Sequence, residues 1–335
     1  MRYFFSLMVC LLPAALWAQD WEEHTHFGPL TAERKLRVLS STDTSFFAPI
    51  IEAFLRGKTG LSVDYFVIGT AQIDEIYRAH PNDYDVVISS AMDLQLKLVN
   101  DGYALQISNL DQPDWAQWRK SLFAFTSEPA TVVVNRAAFP DGAVPQSRQE
   151  LIQALRAQPE LFRGRVGTYD VRESGLGYLF ATQDARASET FWRLMEVMGG
   201  LGARLYCCSG DMIDDLESGE LLVAYNVLGS YVAARLDVAD HLEVVLPSDF
   251  PTTMMRTAFV TAQTFVEDDA VAFVRHLLAM QSQPRNRDVF PLPSLKPMSD
   301  ASGHTVITLE PALMTYLDPL KRRTFIKEWS SAVIQ

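Results

Sequence analysis

One arrangement recurs along the chain and constrains its fold more than any other feature. A short apolar run enters a loop of hydroxyls and glycines, and the loop opens a segment with apolar residues at helical spacing. The stretch Leu36 to Phe54, LRVLSSTDTSFFAPIIEAF, is the first case. Leu36 to Leu39 reads as a strand and Ser40 to Ser45 as a polar loop. Phe46, Phe47, Ile50, Ile51 and Phe54 mark one face of a helix. Thr44 or Ser45 is the expected N-cap, with Pro49 in the first helical turn. Leu61 to Ile68, then Gly69-Thr70-Ala71-Gln72, then a helix from Ile73 to Ala79 is the second case. Tyr84 to Ile88, then Ser89-Ser90-Ala91, then a helix from Asp93 to Asn100 is the third. Three such units in succession predict a parallel sheet with helices on both faces. Ligands of such sheets bind at the carboxyl ends of the strands, so the loops 40–45, 69–72 and 89–91 are expected along one edge. Each loop also ends on a helix N-terminus, where free N–H groups and the helix dipole suit an anion.

The device then repeats. Arg165 to Thr168 reads as a strand and Tyr169 to Glu173 as its loop, with a helix opening at Ser174-Gly175-Leu176-Gly177. Leu221 to Tyr225 reads as a strand, Asn226 to Gly229 as a loop and Ser230 to Leu236 as a helix. At 335 residues two lobes are expected. The first comprises 35–129 and a return at 255–295, and the second 130–254. Two crossings between them, at 130–134 and 253–261, make a hinge with a cleft between facing loops. Residues 19–34 show little periodicity and read as a leader. The segment 296–335 reads as helical, packing on the lobes.

Arg2 followed by an almost wholly apolar run from Tyr3 to Trp17, with Leu16-Trp17-Ala18 after it, predicts a secretory signal peptide at 1–18 cut after Ala18. Val9 before Cys10 argues against a lipid anchor. The mature protein is expected to be soluble, in the periplasm, and a monomer. Without Arg2 it carries 28 basic against 41 acidic residues, a net charge of −13, which excludes a nucleic-acid face. A small anion must then be caught by local donors. Cys207 and Cys208 are adjacent. Two thiols alone make a poor metal site, so buried thiols or a strained vicinal disulfide are expected, with no metal and no cofactor. His24 and His26 lie in the leader and receive no role. No G-x-S-x-G, H-E-x-x-H or G-x-x-x-x-G-K-[ST] occurs, so no enzymatic centre is expected.

The order of LRVLSSTDTSFFAPIIEAF, YDVVISSAMDL, EPATVVVN, VGTYDVRESGLGYLF and ELLVAYNVLGSYVAARL resembles the periplasmic solute-binding proteins of ABC importers. The likeness is greatest to the two-hinge class of ferric-iron and organophosphate binders. That resemblance covers nearly all of the mature chain. It implies the type II periplasmic-binding-protein fold, α/β with mainly parallel sheets and helices on both faces. It also implies a solute held between the lobes and a permease or a sensor kinase of the inner membrane as partner. The ferric members place two adjacent tyrosines where this chain has Gly229-Ser230-Tyr231. The expected solute is therefore a small anion: a phosphate ester, phosphonate or carboxylate. Ferric-iron binding and ligand sensing are the alternatives. The candidate ligand-binding residues are Ser41, Thr42, Asp43, Gly69, Thr70, Ser89, Ser90, Tyr169, Asp170, Arg172, Ser174, Gly175, Asn226, Tyr231 and Arg256. Arg172 is the first choice of anion anchor and Arg256 the second, because an Arg fork suits an oxyanion.

Overall fold

The computed structural model describes residues 21–140, 142–235, 241–282, 288–296 and 305–334. The signal peptide expected at 1–18 lies outside them. Strands Arg34–Ser40, Leu61–Val67 and Val86–Ser89 pair in parallel, with Arg34–Ser40 in the middle. Leu36, Val38 and Leu39 are fully buried there, as strands covered on both faces require. The sheet is mixed rather than purely parallel. Thr257–Val260 pairs antiparallel with Val86–Ser89 and with Leu122–Ala124, and Gln117–Trp118 lies beyond. At the opposite edge Glu23–Phe27 pairs antiparallel with Leu61–Val67. The leader thus contains a strand. His26 Nδ1 lies 2.6 Å from Asp64 Oδ1, and Glu23 accepts the Thr44 N–H at 2.9 Å. That acceptor lets the helix Thr44–Leu55 begin at Thr44 after an Asp43 cap, which puts Pro49 inside the helix rather than in its first turn.

The second sheet is ordered Thr305–Val306, Thr252–Met254, Glu128–Asn135, Val223–Leu228, Val166–Tyr169, Arg204–Tyr206, and Leu242–Val245 also pairs with Glu128–Asn135. It too is mixed: Val223–Leu228 is parallel to Val166–Tyr169 but antiparallel to Glu128–Asn135. One hydrophobic core lies around the first sheet and continues through Leu176, Leu179 and Met212. A separate core fills the far side of the second sheet and takes in Phe325, Trp329 and Val333 of the C-terminal helix Pro319–Val333. The result is a two-lobed α/β fold. Among the described residues no helix is long and apolar enough to cross a membrane.

The chain passes between the sheets where Ala124 leads to Glu128 and where Met254 leads to Thr257. The two passages are bonded to each other: Phe125 donates to the Arg256 carbonyl at 3.0 Å, and the Arg256 N–H donates to Thr126 Oγ1 at 3.1 Å. Arg256 therefore sits in the hinge itself.

Candidate functional site

Above this hinge lies a cavity of about 40 Å3 whose lining includes Ser41, Asp43, Gly69, Thr70 and Ser90 of the first lobe. Tyr169, Ser174 and Tyr231 line it from the second lobe, and Arg256 lines it from the hinge. The three loops of the first lobe do gather at one edge. Ser41 Oγ donates to Ser89 Oγ at 3.3 Å and accepts the Ser90 N–H at 3.4 Å. Thr42, fully buried, is not a wall residue. Its hydroxyl accepts from Arg256 Nη1, and its carbonyl accepts from the Tyr65 hydroxyl at 2.7 Å. Ser89 likewise lies behind the wall, accepting the Ala91 N–H at 3.1 Å.

Three helices of eight or more residues begin at this cavity: Thr44–Leu55 after Asp43, Gly175–Ala187 after Ser174, and Ser209–Glu217 after Cys208. Their dipoles point positive ends into one space. Arg256 adds a full charge. It is 1% exposed, its Nε donates to Glu128 Oε1 at 3.1 Å, and its Nη2 lies 3.0 Å from the same oxygen. Glu128 is already engaged, accepting from Thr126 Oγ1 at 3.0 Å and from Ser230 Oγ at 2.5 Å. A buried guanidinium beside three helix N-termini is suited to an oxyanion.

Carboxylates share the space. Burial pushes the Asp43 carboxyl up, opposed by the Tyr231 hydroxyl, which donates to Asp43 Oδ1 at 3.1 Å. Glu22, which also lines the cavity, is raised by burial first and then by Asp43 and Asp211. The two lobes are in contact here. Besides the Tyr231–Asp43 bond, the Leu176 N–H donates to Thr70 Oγ1 at 3.1 Å. A Cβ on Gly175 would stand 3.1 Å from the Thr70 carbonyl carbon and oxygen. The cavity has room for a few water-sized groups, so an organic solute needs the lobes further apart than they stand here.

Three candidates fall elsewhere. Arg172 is half-exposed and turns back on its own loop, with Nε 2.8 Å from Asp170 Oδ1 and Nη2 2.5 Å from Asp170 Oδ2. Neither Arg172 nor Asp170 lines the cavity. A carboxylate two residues away satisfies the guanidinium more readily than the cleft does. Asn226 sits at a bulge with φ +66°. Its amide donates to Asp184 Oδ2 at 2.9 Å in a buried cluster with Arg148, Tyr225 and Thr252.

The lining residues not anticipated are Glu22, Ile68, Leu176, Cys207, Cys208, Ser209 and Leu228. Tyr169 and Tyr231 meet in the cavity although distant in sequence. The Tyr169 and Ser209 hydroxyls share a hydrogen bond of 2.5 Å, and burial raises both phenols well above their usual range. The cysteines are free, Cys207 exposed and Cys208 half-buried, and are neither buried together nor joined. A hollow of about 350 Å3 on the outer side of Gly175 is lined by Arg78, Asp74 and Lys97. Its charges pair with one another and with Asp101.

No protein-family model matches the chain, and no curated protein matches it. Solved structures do. The substrate-binding protein of an ABC transporter from Agrobacterium tumefaciens is 28% identical at a TM-score of 0.84, over 93% of this chain and 98% of that one. The periplasmic binding protein AfuA from Actinobacillus pleuropneumoniae, with exogenous fructose-6-phosphate bound, is 15% identical at 0.71, over 90% and 99%. Iron-bound HitA from Pseudomonas aeruginosa is 14% identical at 0.65, over 89% and 99%. At those lower identities the last two speak to the fold. In fold, the chain is similar to periplasmic substrate-binding proteins of ABC transporters.

Proposed function

We propose that this protein is exported by its N-terminal segment and captures a small anionic solute, a phosphate ester, phosphonate or carboxylate, for an ABC permease of the inner membrane. One observation carries the reading: the buried Arg256 guanidinium lines a cavity onto which three helix N-termini open. The hydroxyls of Ser41, Thr70, Ser90 and Ser174 line the same cavity and supply neutral donors. Ligand contacts from both lobes favour the closed arrangement, because they are complete only there.

Ferric iron is the second reading, favoured by the meeting of Tyr169, Tyr231 and Asp43 at the cavity. Iron binds the phenolate form, and burial holds both phenols protonated, which opposes it. A thermal-shift screen of the mature protein distinguishes the two. Inorganic phosphate, fructose 6-phosphate, simple phosphonates, dicarboxylates and ferric citrate are the probes. An anion at a hundred times its Kd stabilises by about 2.7 kcal/mol. Stabilisation by one of the iron-free anions is expected. A shift with ferric citrate alone, with a visible tyrosinate colour, would contradict the anion reading.

A further inference from the structure

We propose that Cys207, Cys208 and Asp211 form a site for a thiophilic divalent cation of the zinc class at the wall of the cleft. The two sulfurs and a carboxylate oxygen of Asp211 lie within 4.8 Å of one another. Asp211 Oδ2 is 3.6 Å from Cys207 Sγ and 3.1 Å from Cys208 Sγ. Tetrahedral zinc, with bonds of about 2.3 Å to sulfur and about 2.1 Å to oxygen, sets its sulfur and oxygen ligands about 3.6 Å apart. The three donors therefore stand close to the edges of a tetrahedron already.

Local structure explains why. Cys208 caps the helix Ser209–Glu217 in an extended conformation, φ −142° and ψ 159°. The spacing C-C-x-x-D then places Asp211 in the first helical turn, above both thiols. The positive end of the helix lies beside the three donors, while Cys207, burial and Asp211 keep the Cys208 thiol protonated until a cation displaces its proton. Two sulfur ligands select zinc-like ions over magnesium or calcium, which prefer all-oxygen sites. The fourth position opens toward the cleft. Both cysteines line the cavity together with Glu22 of the other lobe, and the Glu22 carboxyl feels the charge of Asp211. Glu22 is thus placed to complete the shell when the lobes close. Binding M2+ releases the two thiol protons to solvent and needs no oxidant or reductant. The site does not depend on Arg256 or on the identity of the anion.

The test uses the mature protein, reduced with a phosphine and stripped of metal, and no anionic solute. Its failure is therefore separate from failure of the anion reading. Zinc is titrated against a chromophoric chelator, and cobalt is used to read thiolate charge-transfer absorbance. We expect one equivalent of zinc and a thiolate–cobalt band. Cys207→Ser/Cys208→Ser should lose affinity by about 100-fold or more and lose the band. Asp211→Asn, which leaves both thiols in place, should lose about tenfold with the band retained; these losses are of the size seen when a metal shell is disturbed. Wild-type zinc affinity in the double serine variant would overturn the proposal. So would a wild-type protein whose two thiols titrate as free while no zinc binds.

Discussion

Two arginines show how a residue's role depends on what lies within its reach. Arg172 stands next to Ser174 and Gly175 at a helix N-terminus, which is where a sequence reading looks for an anion anchor. Asp170, two residues back, takes the Nε–Nη2 edge of its guanidinium. Arg256 carries no local signal of that kind. It is buried because Glu128, 128 residues away, meets it in the hinge, and such pairing is invisible along the chain. Arg172→Ala is accordingly expected to change solute affinity less than about threefold by calorimetry, since exposed ion pairs contribute about 0–1 kcal/mol. Loss of affinity by 30-fold would return Arg172 to the site. A second residue gives a pH signature. Asp93, 2% exposed in the first turn of the helix Met92–Asn100, has its carboxyl raised by burial to about 7. A raised acid favours folding when protonated, so its contribution is intact at low pH and is lost as pH rises toward about 7. At about 1.36 kcal/mol per unit, wild type should lose about 2–3 kcal/mol from this group between pH 5 and pH 8. Asp93→Asn keeps an acceptor for the Leu94 N–H and should lack this loss. Urea midpoints at the two pH values measure the difference, and parallel behaviour of the two proteins would refute it.

Among the elements, those with strong local periodicity were readable in advance. The helix expected over Asp93 to Asn100 appears as Met92–Asn100. The loops at 40–45, 69–72 and 89–91 share an edge because parallel strands force them to. The strand Glu23–Phe27 was not readable. Its EHTHF pattern offers no clean alternation, and it is held by Leu61–Val67 some forty residues on. The strand Arg204–Tyr206, which delivers Cys207 and Cys208 to the cleft, is three residues long, too short to show a period. Two glycines act through close approach and not through turns. Gly175 lets the second lobe come against the Thr70 backbone, where a Cβ would stand 3.1 Å from two atoms. Because a bound organic solute holds the lobes further apart than this contact, Gly175→Ala should leave both the urea midpoint and the solute affinity, read by calorimetry, nearly unchanged. A tenfold loss of affinity, about 1.4 kcal/mol, would mean that the solute-bound lobes approach this closely. Gly199 and Gly200 both belong to the helix Thr190–Gly200. A Cβ on Gly199 would lie 2.1 Å from the Ala332 carbonyl oxygen. Gly199→Ala should push the C-terminal helix away and cost about 1–3 kcal/mol, as overpacking does, read as a fall in melting temperature. An unshifted melt would show that the helix is not held at this contact.

Across the whole molecule, the two sheets are joined at the passages 124–128 and 254–257 and by contacts over the cleft, and Thr305–Val306 of the second sheet follows the helix Glu267–Gln281 of the first lobe. The hinge holds Arg256 and Glu128, so the charge proposed to receive the solute is part of the joint between the lobes. Tyr231 to Asp43 and Leu176 to Thr70 then span the lobes directly. This account places the main affinity at Arg256, and one measurement tests it. The anion that stabilises the wild type most is titrated calorimetrically into wild type and into Arg256→Gln/Glu128→Gln, in which the buried pair is neutral and neither charge is stranded. Losing a buried charged contact typically costs about 2–5 kcal/mol, so affinity should fall about 30-fold or more with the melting temperature within a few degrees of wild type. A double variant that binds the anion as wild type does would contradict the account.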